Sequence, residues 1–219
     1  IFAEHIVNIA KKDDMIWLHD FHLFLAPKYI KKLNPKLKVG FFLHVPFPSS
    51  EVYRQLPCRK EILESLIYSD LIGFHDFSYL RHFVSSVYSI LGIQRSFLEL
   101  KTHVNNSKLG VFPVSIDTKD FFTKAKSKKT KNEVARYGLD NEKISYILGV
   151  DRLDYTKGIP LKILAFKKFL ENNPSYVGKI QLIQVAVPSR VDVEEYIELR
   201  HEIERLVSEV NGKFGRINY

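Results

Sequence analysis

Two cations, Arg152 and Lys157, bracket a turn in GVDRLDYTKG, a stretch that follows the apolar run ISYIL. A buried strand that runs into such a turn and then a helix brings both cations near a helix N-terminus. Backbone N–H groups there already favour an anion. Arginine offers a planar fork to phosphate oxygens and lysine a point charge, so the pair suits a diphosphate. Other polar residues follow apolar runs in the same way. His19 and Asp20 end MIWLH and its continuation, His44 precedes Pro46-Phe47-Pro48, and Arg190 follows Pro188-Ser189. Ligands of open α/β sheets bind outside the carboxyl ends of strands, which is where these residues would sit.

Each residue also has a plain structural reading. Asp20 could cap a helix starting near Phe21, and His44 could be a satisfied core histidine. Ser189 with Asp192 has the spacing of a capping box. Asp151 and Asp154 read as residues that shape and neutralise the turn. His19, Asp20 and His22 invite a metal reading, but they straddle a strand–helix turn with no second ligand cluster, so no metal is expected. These readings explain the residues singly. They do not explain why polar groups recur at one end of successive strands. Neither G-x-G-x-x-G nor G-x-x-x-x-G-K-[ST] is present, which removes support from the ordinary dinucleotide and P-loop readings.

The elements that must position these residues alternate. Apolar runs at 15–19, 38–45, 70–74, 108–114, 143–150 and 180–187 predict strands. Helical periodicity is expected at 21–34, 49–56, 59–69, 76–91, 157–174 and 190–212, with Pro57 as a break and Gly138 closing a helix that ends near 137. Continuous apolar strands separated by helices predict an α/β fold whose parallel sheets are covered on both faces. The rhythm breaks near 115–140, where a domain boundary is expected.

Composition narrows the class. The 219 residues include one cysteine, Cys58, so no intramolecular disulfide or multi-thiolate metal site can form. No apolar run approaches the ~20 residues of a membrane span. Much of the net charge of +8 sits in TKAKSKKTKNE, read as a solvated linker or helix face. Nucleic-acid binding is not expected, because no aromatic interleaving or known module accompanies the basic residues. The start, IFAEHIVNIA, reads as the middle of an amphipathic helix, and the sequence is expected to be a piece of a longer protein.

IWLHDFHLFLAPKYI, VGFFLHVPFPSSEVYRQLP, DLIGFHDFSYLRHFV, GVDRLDYTKGIPLKILAFKKFLENNP and QVAVPSRVDVEEYIELRHEIERLVSEVNGKFGRINY resemble the trehalose-6-phosphate synthase family, in order and from end to end. The resemblance implies a GT-B glycosyltransferase with two Rossmann-like domains facing a cleft. Residues 1–118 would belong to the N-terminal acceptor-side domain, 119–140 to a lysine-rich connection, and 141–219 to the C-terminal donor-binding domain. It implies transfer of glucose from UDP-glucose to glucose-6-phosphate with retention, in the cytoplasm, without cofactor or metal. Arg152 and Lys157 would hold the donor diphosphate, His44 would touch the donor glucose, Asp20 would bind acceptor hydroxyls and Arg190 the acceptor phosphate. His44, Arg152 and Lys157 are the expected catalytic residues. The family's glycine-rich loop would precede Ile1, and its D-G-x-N loop and ribose-binding glutamate would follow Tyr219. Alternatives stay open: a non-catalytic regulatory subunit of a trehalose synthase complex, a glucosylglycerol-phosphate synthase, a chain with a phosphatase domain further on, or a generic nucleotide-binding module. A homo-oligomer is equally compatible.

Overall fold

The computed structural model describes residues 1–96, 98–189 and 192–215. It divides into two units, Ile1–Ile116 and Asp117–Tyr219.

The first unit is built on a six-stranded sheet. Its elements are α1 (Phe2–Ile9), β1 (Met15–His19), α2 (Ala26–Leu33), β2 (Lys38–Phe42), α3 (Ser50–Tyr53), α4 (Arg59–Leu66), β3 (Leu71–Phe74), α5 (Phe77–Leu91), β4 (Arg95–Ser96), β5 (Glu99–Lys101) and β6 (Asn106–Val111). The strand order is β1-β2-β3-β6-β5-β4. The first four are mutually parallel, and β5 and β4 extend the sheet antiparallel. Leu18, Val39, Phe41, Ile72, Phe74 and Leu109 point to one face, and all are buried against helices. Helix α5 shows why: Leu80, Phe83 and Val87 recur at helical spacing and bury one stripe. Asp76 starts this helix by accepting the Ser78 N–H at 2.7 Å, and Gly92 ends it in the left-handed conformation.

The opposite face departs from expectation. Among the described residues it is open rather than covered, with Met15 and Trp17 exposed. Its surface is made of aromatic rings lying against glycines of the sheet. Trp17 lies beside Gly40, Phe42 over Gly73 and Phe112 over Gly110.

The second unit holds α6 (Thr118–Lys126), α7 (Lys128–Arg136), β7 (Ser145–Arg152), α8 (Ile159–Asn172), β8 (Ile180–Val187) and α9 (Glu194–Phe214). Strands β7 and β8 pair in parallel from Ser145↔Ile180 to Arg152↔Val187. Helices α8 and α9 pack on them through Leu153, Ile159, Ile163, Ile203, Leu206 and Val210. The lysine-rich stretch forms the paired helices α6 and α7, neither with a buried residue. Helix α7 closes as anticipated at Gly138: its N–H reaches Ala135 O and the Leu139 N–H reaches Val134 O, a Schellman motif. Among the described residues no capping hydrogen bond joins Ser189 and Asp192 to a helix start. Helix α9 begins at Glu194, after Val193, with no side-chain cap.

Candidate functional site

In the first unit the chemistry gathers at the carboxyl ends of β1, β2 and β3. Strand alternation and the parallel register put positions 19, 42 and 73 on the open face. His19 ends β1, while His44 lies two residues beyond the end of β2 and His75 one residue beyond the end of β3. The three imidazoles gather there. Nδ1 of His19 is 2.9 Å from Nε2 of His44, and the His44 and His75 ring centroids are 5.6 Å apart. Phe42 meets both His44 and His75 edge to face. The Val114 N–H donates to Nδ1 of His75 at 3.4 Å, which leaves the proton of that ring on Nε2. His75 was missed in the sequence, although the strand-end rule applied to DLIGFH would have found it.

Asp20 is not a helix cap. Its side chain makes no capping hydrogen bond to the 3-10 turn Phe21–Leu23, which with α2 replaces the single helix expected over 21–34. The Asp20 N–H continues the sheet ladder to Phe42 O at 2.9 Å, and its Oδ1 accepts the His44 N–H at 3.3 Å. The residue holds φ 68 and ψ 172, the one positive φ outside glycine among the described residues. That region is almost restricted to glycine and costs ~1–3 kcal/mol. Backbone strain of this kind at a strand end marks the residue as a candidate for function.

In the second unit Arg152 is the last residue of β7, so it sits at the strand's carboxyl edge as the ligand rule requires. Its side chain is 63% exposed, and its guanidinium is 3.8 Å from Asp154 Oδ2. Asp154 is buried and shapes the next turn. Its Oδ1 accepts the Thr156 N–H at 2.9 Å and the Thr156 hydroxyl at 2.8 Å. Those two bonds hold its carboxyl below the usual carboxylate range, helped by Arg152 and Lys157. Lys157 is exposed at the end of the 3-10 turn Tyr155–Lys157, and Gly158 at φ 61 lets the chain reverse into α8. Asp151 points away from Arg152, bonding Lys162 at 2.6 Å and Gln184 at 2.9 Å, and these partners keep its carboxyl low. Two exposed cations around one turn, with Asp154 between them held by Thr156 and Asp151 before them held by Lys162 and Gln184, can receive a dianion. Arg190 lies outside the described residues. Among the described residues no group of three or more His, Cys, Asp or Glu side chains could hold a metal ion, and no helix is long and apolar enough to cross a membrane.

The whole chain, residues 1–219, matches the model of glycosyltransferase family 20. The chain belongs to glycosyltransferase family 20.

Its relatives in that family include the UDP-forming alpha,alpha-trehalose-phosphate synthase of Pichia angusta, 46% identical over all of this chain and 47% of that protein. The chain thus spans about half the length of this relative. Solved structures agree. An E. coli protein bound with UDP-2-fluoro glucose is 31% identical with a TM-score of 0.87, over 99% of this chain and 48% of that one. A UDP-forming synthase from Burkholderia xenovorans in complex with glucose-6-phosphate is 27% identical with a TM-score of 0.84, over 99% and 49%. The N-terminal domain of a Candida albicans trehalose-6-phosphate phosphatase is 30% identical with a TM-score of 0.86, over 100% and 46%. The fold is therefore that of the GT-B glycosyltransferases, with parallel strands in both units.

Proposed function

We propose that the protein containing this chain transfers glucose from UDP-glucose to glucose-6-phosphate, forming trehalose-6-phosphate and UDP. The observation that carries the reading is the exposed Arg152–Lys157 pair around the turn that leads into α8. The two relatives crystallised with a UDP-sugar analogue and with glucose-6-phosphate make these the donor and acceptor to test.

In this reading Arg152 and Lys157 bind the diphosphate and take up the negative charge that grows as UDP departs. Fixed cations aimed at developing charge act mainly on the transition state. His44 meets the donor glucose. Asp20 accepts hydrogen bonds from acceptor hydroxyls, and Arg190 holds the acceptor phosphate. The bond from the anomeric carbon to the phosphate oxygen breaks while the acceptor oxygen bonds the same face. The acceptor's hydroxyl proton passes to the departing phosphate oxygen, so configuration is retained without a protein nucleophile.

UDP release by the full-length protein, with both substrates and with each omitted, tests this. Release that depends on glucose-6-phosphate and falls at least a hundredfold in Arg152→Ala, about the loss of one charge-stabilising donor, supports it. A second reading, a non-catalytic regulatory subunit of a trehalose synthase complex, is kept because one similar solved structure is the N-terminal domain of a protein named a phosphatase. A folded full-length protein that releases no UDP with any sugar-phosphate acceptor would select that reading.

A further inference from the structure

The imidazoles of His19 and His44 form a pair to which the proposed roles give no purpose. Their facing nitrogens, Nδ1 and Nε2, are 2.9 Å apart. A contact that short needs one proton between the two nitrogens: two bare nitrogens repel through their lone pairs, and two N–H groups clash. The bond therefore couples the tautomers. If His19 donates, the proton of His44 sits on Nδ1; if His44 donates, its Nδ1 is bare. Among the described residues nothing hydrogen-bonds Nδ1 of His44, so that nitrogen remains for a ligand. Further packing fixes both rings. Trp17 stands 4.5 Å from the His19 ring on one side, and Phe42 meets His44 edge-on at 4.9 Å. The His44 backbone is held separately, by Asp20.

We propose that His19 is a positioning residue for the glycosyl donor. It locks the plane of the His44 ring and ties the polarity of the free Nδ1 to which ring donates, so that a fixed, paired ring edge meets a sugar hydroxyl. The proposal deepens the reading of His44 as the donor-glucose contact and rests on it. His19 touches no substrate itself.

Asparagine and glutamine separate this role from mere packing. The amide of Asn lies near where Nδ1 of histidine sits, whereas that of Gln reaches toward Nε2. In the full-length protein, UDP release is measured against UDP-glucose and against glucose-6-phosphate for His19→Asn, His19→Gln and His19→Phe. The expected result is His19→Asn within about threefold of the parent, and His19→Gln and His19→Phe about tenfold lower in kcat/KM for UDP-glucose, the scale of one lost hydrogen bond. KM for glucose-6-phosphate should not move. If Asn and Gln behave alike while His44→Ala abolishes turnover, the positioning role is overturned and the His44 role survives. If His44→Ala keeps full turnover, the donor-glucose reading falls, and this proposal with it. Should the variants fail to fold, nitrogen-15 spectra of the unaltered protein decide. A hydrogen-bond coupling between Nδ1 of His19 and Nε2 of His44 supports the lock, and two uncoupled rings overturn it.

Discussion

The guanidinium of Arg152 lies 3.8 Å from Asp154, whose other carboxylate oxygen is fully engaged by Thr156. The nearest carboxylate is thus committed to the turn and does not close over the arginine. Removal of the cation should therefore leave the fold alone and strike turnover. Arg152→Ala and Lys157→Ala are each expected to lower kcat by about 10²–10³-fold in the full-length protein, with little change in thermal midpoint. UDP release and a melting curve on the same samples check both halves of the claim.

Asp154 should show itself through acid. Its carboxyl is held below the usual range by the Thr156 bonds and the two cations. A group with a depressed folded pKa contributes stability that is fully present above its unfolded value, about 4, and is lost as pH falls through the folded value. Asp154→Asn should therefore melt below the parent at pH 6, and the gap should narrow toward pH 3. Melting curves at both pH values read the difference; an equal gap at both would refute the assignment.

Asp20 combines strain with a hydrogen bond, and two substitutions separate them. Asp20→Ala keeps the strain and loses the bond to the His44 N–H, so it should destabilise by about 1 kcal/mol. Asp20→Gly loses the same bond but releases ~1–3 kcal/mol of backbone strain, so it should match or exceed the parent in chemical denaturation. Both should raise KM for glucose-6-phosphate, because the carboxylate is gone in each.

Gly73 governs the site from beneath. A Cβ there would come within 2.7 Å of the Phe42 ring, which touches both His44 and His75. Gly73→Ala should displace that ring at a cost of ~1–3 kcal/mol. It should also impair UDP-glucose use without altering any polar residue. Denaturation curves and KM for each substrate would show whether the effect stays on the donor side.

The long apolar runs made the parallel strands legible, because a strand buried along its length carries the same signal wherever it pairs. The hairpin of β4 and β5 was not legible. Its strands are two and three residues long, and its anchor, the fully buried Leu100, is a single apolar residue in a mixed stretch. The helix expected at 21–34 fails at its start for a backbone reason: Asp20 enters at positive φ, and the next residues tighten into a 3-10 turn. Of the five proposed site residues, Asp20, His44 and Arg152 lie at or beside strand ends and Lys157 in the turn before α8, positions visible locally as polar groups after apolar runs. The His19–His44 bond was not visible. It joins residues 25 apart and depends on the register of β1 against β2.

The strand order has a temporal meaning. Strands β1, β2 and β3 lie side by side in the order in which a ribosome would make them, so each can dock on its predecessor as it emerges. Strands β4 and β5 cannot join that growing edge, since β6 occupies the place beside β3. Their place in the sheet exists only once β6 has joined β3, because β5 pairs with β6. The last strand of this sheet to be synthesised is the one that locks the hairpin into place, so a chain stalled before Asn106 would present an unfinished edge at β3 to its neighbours.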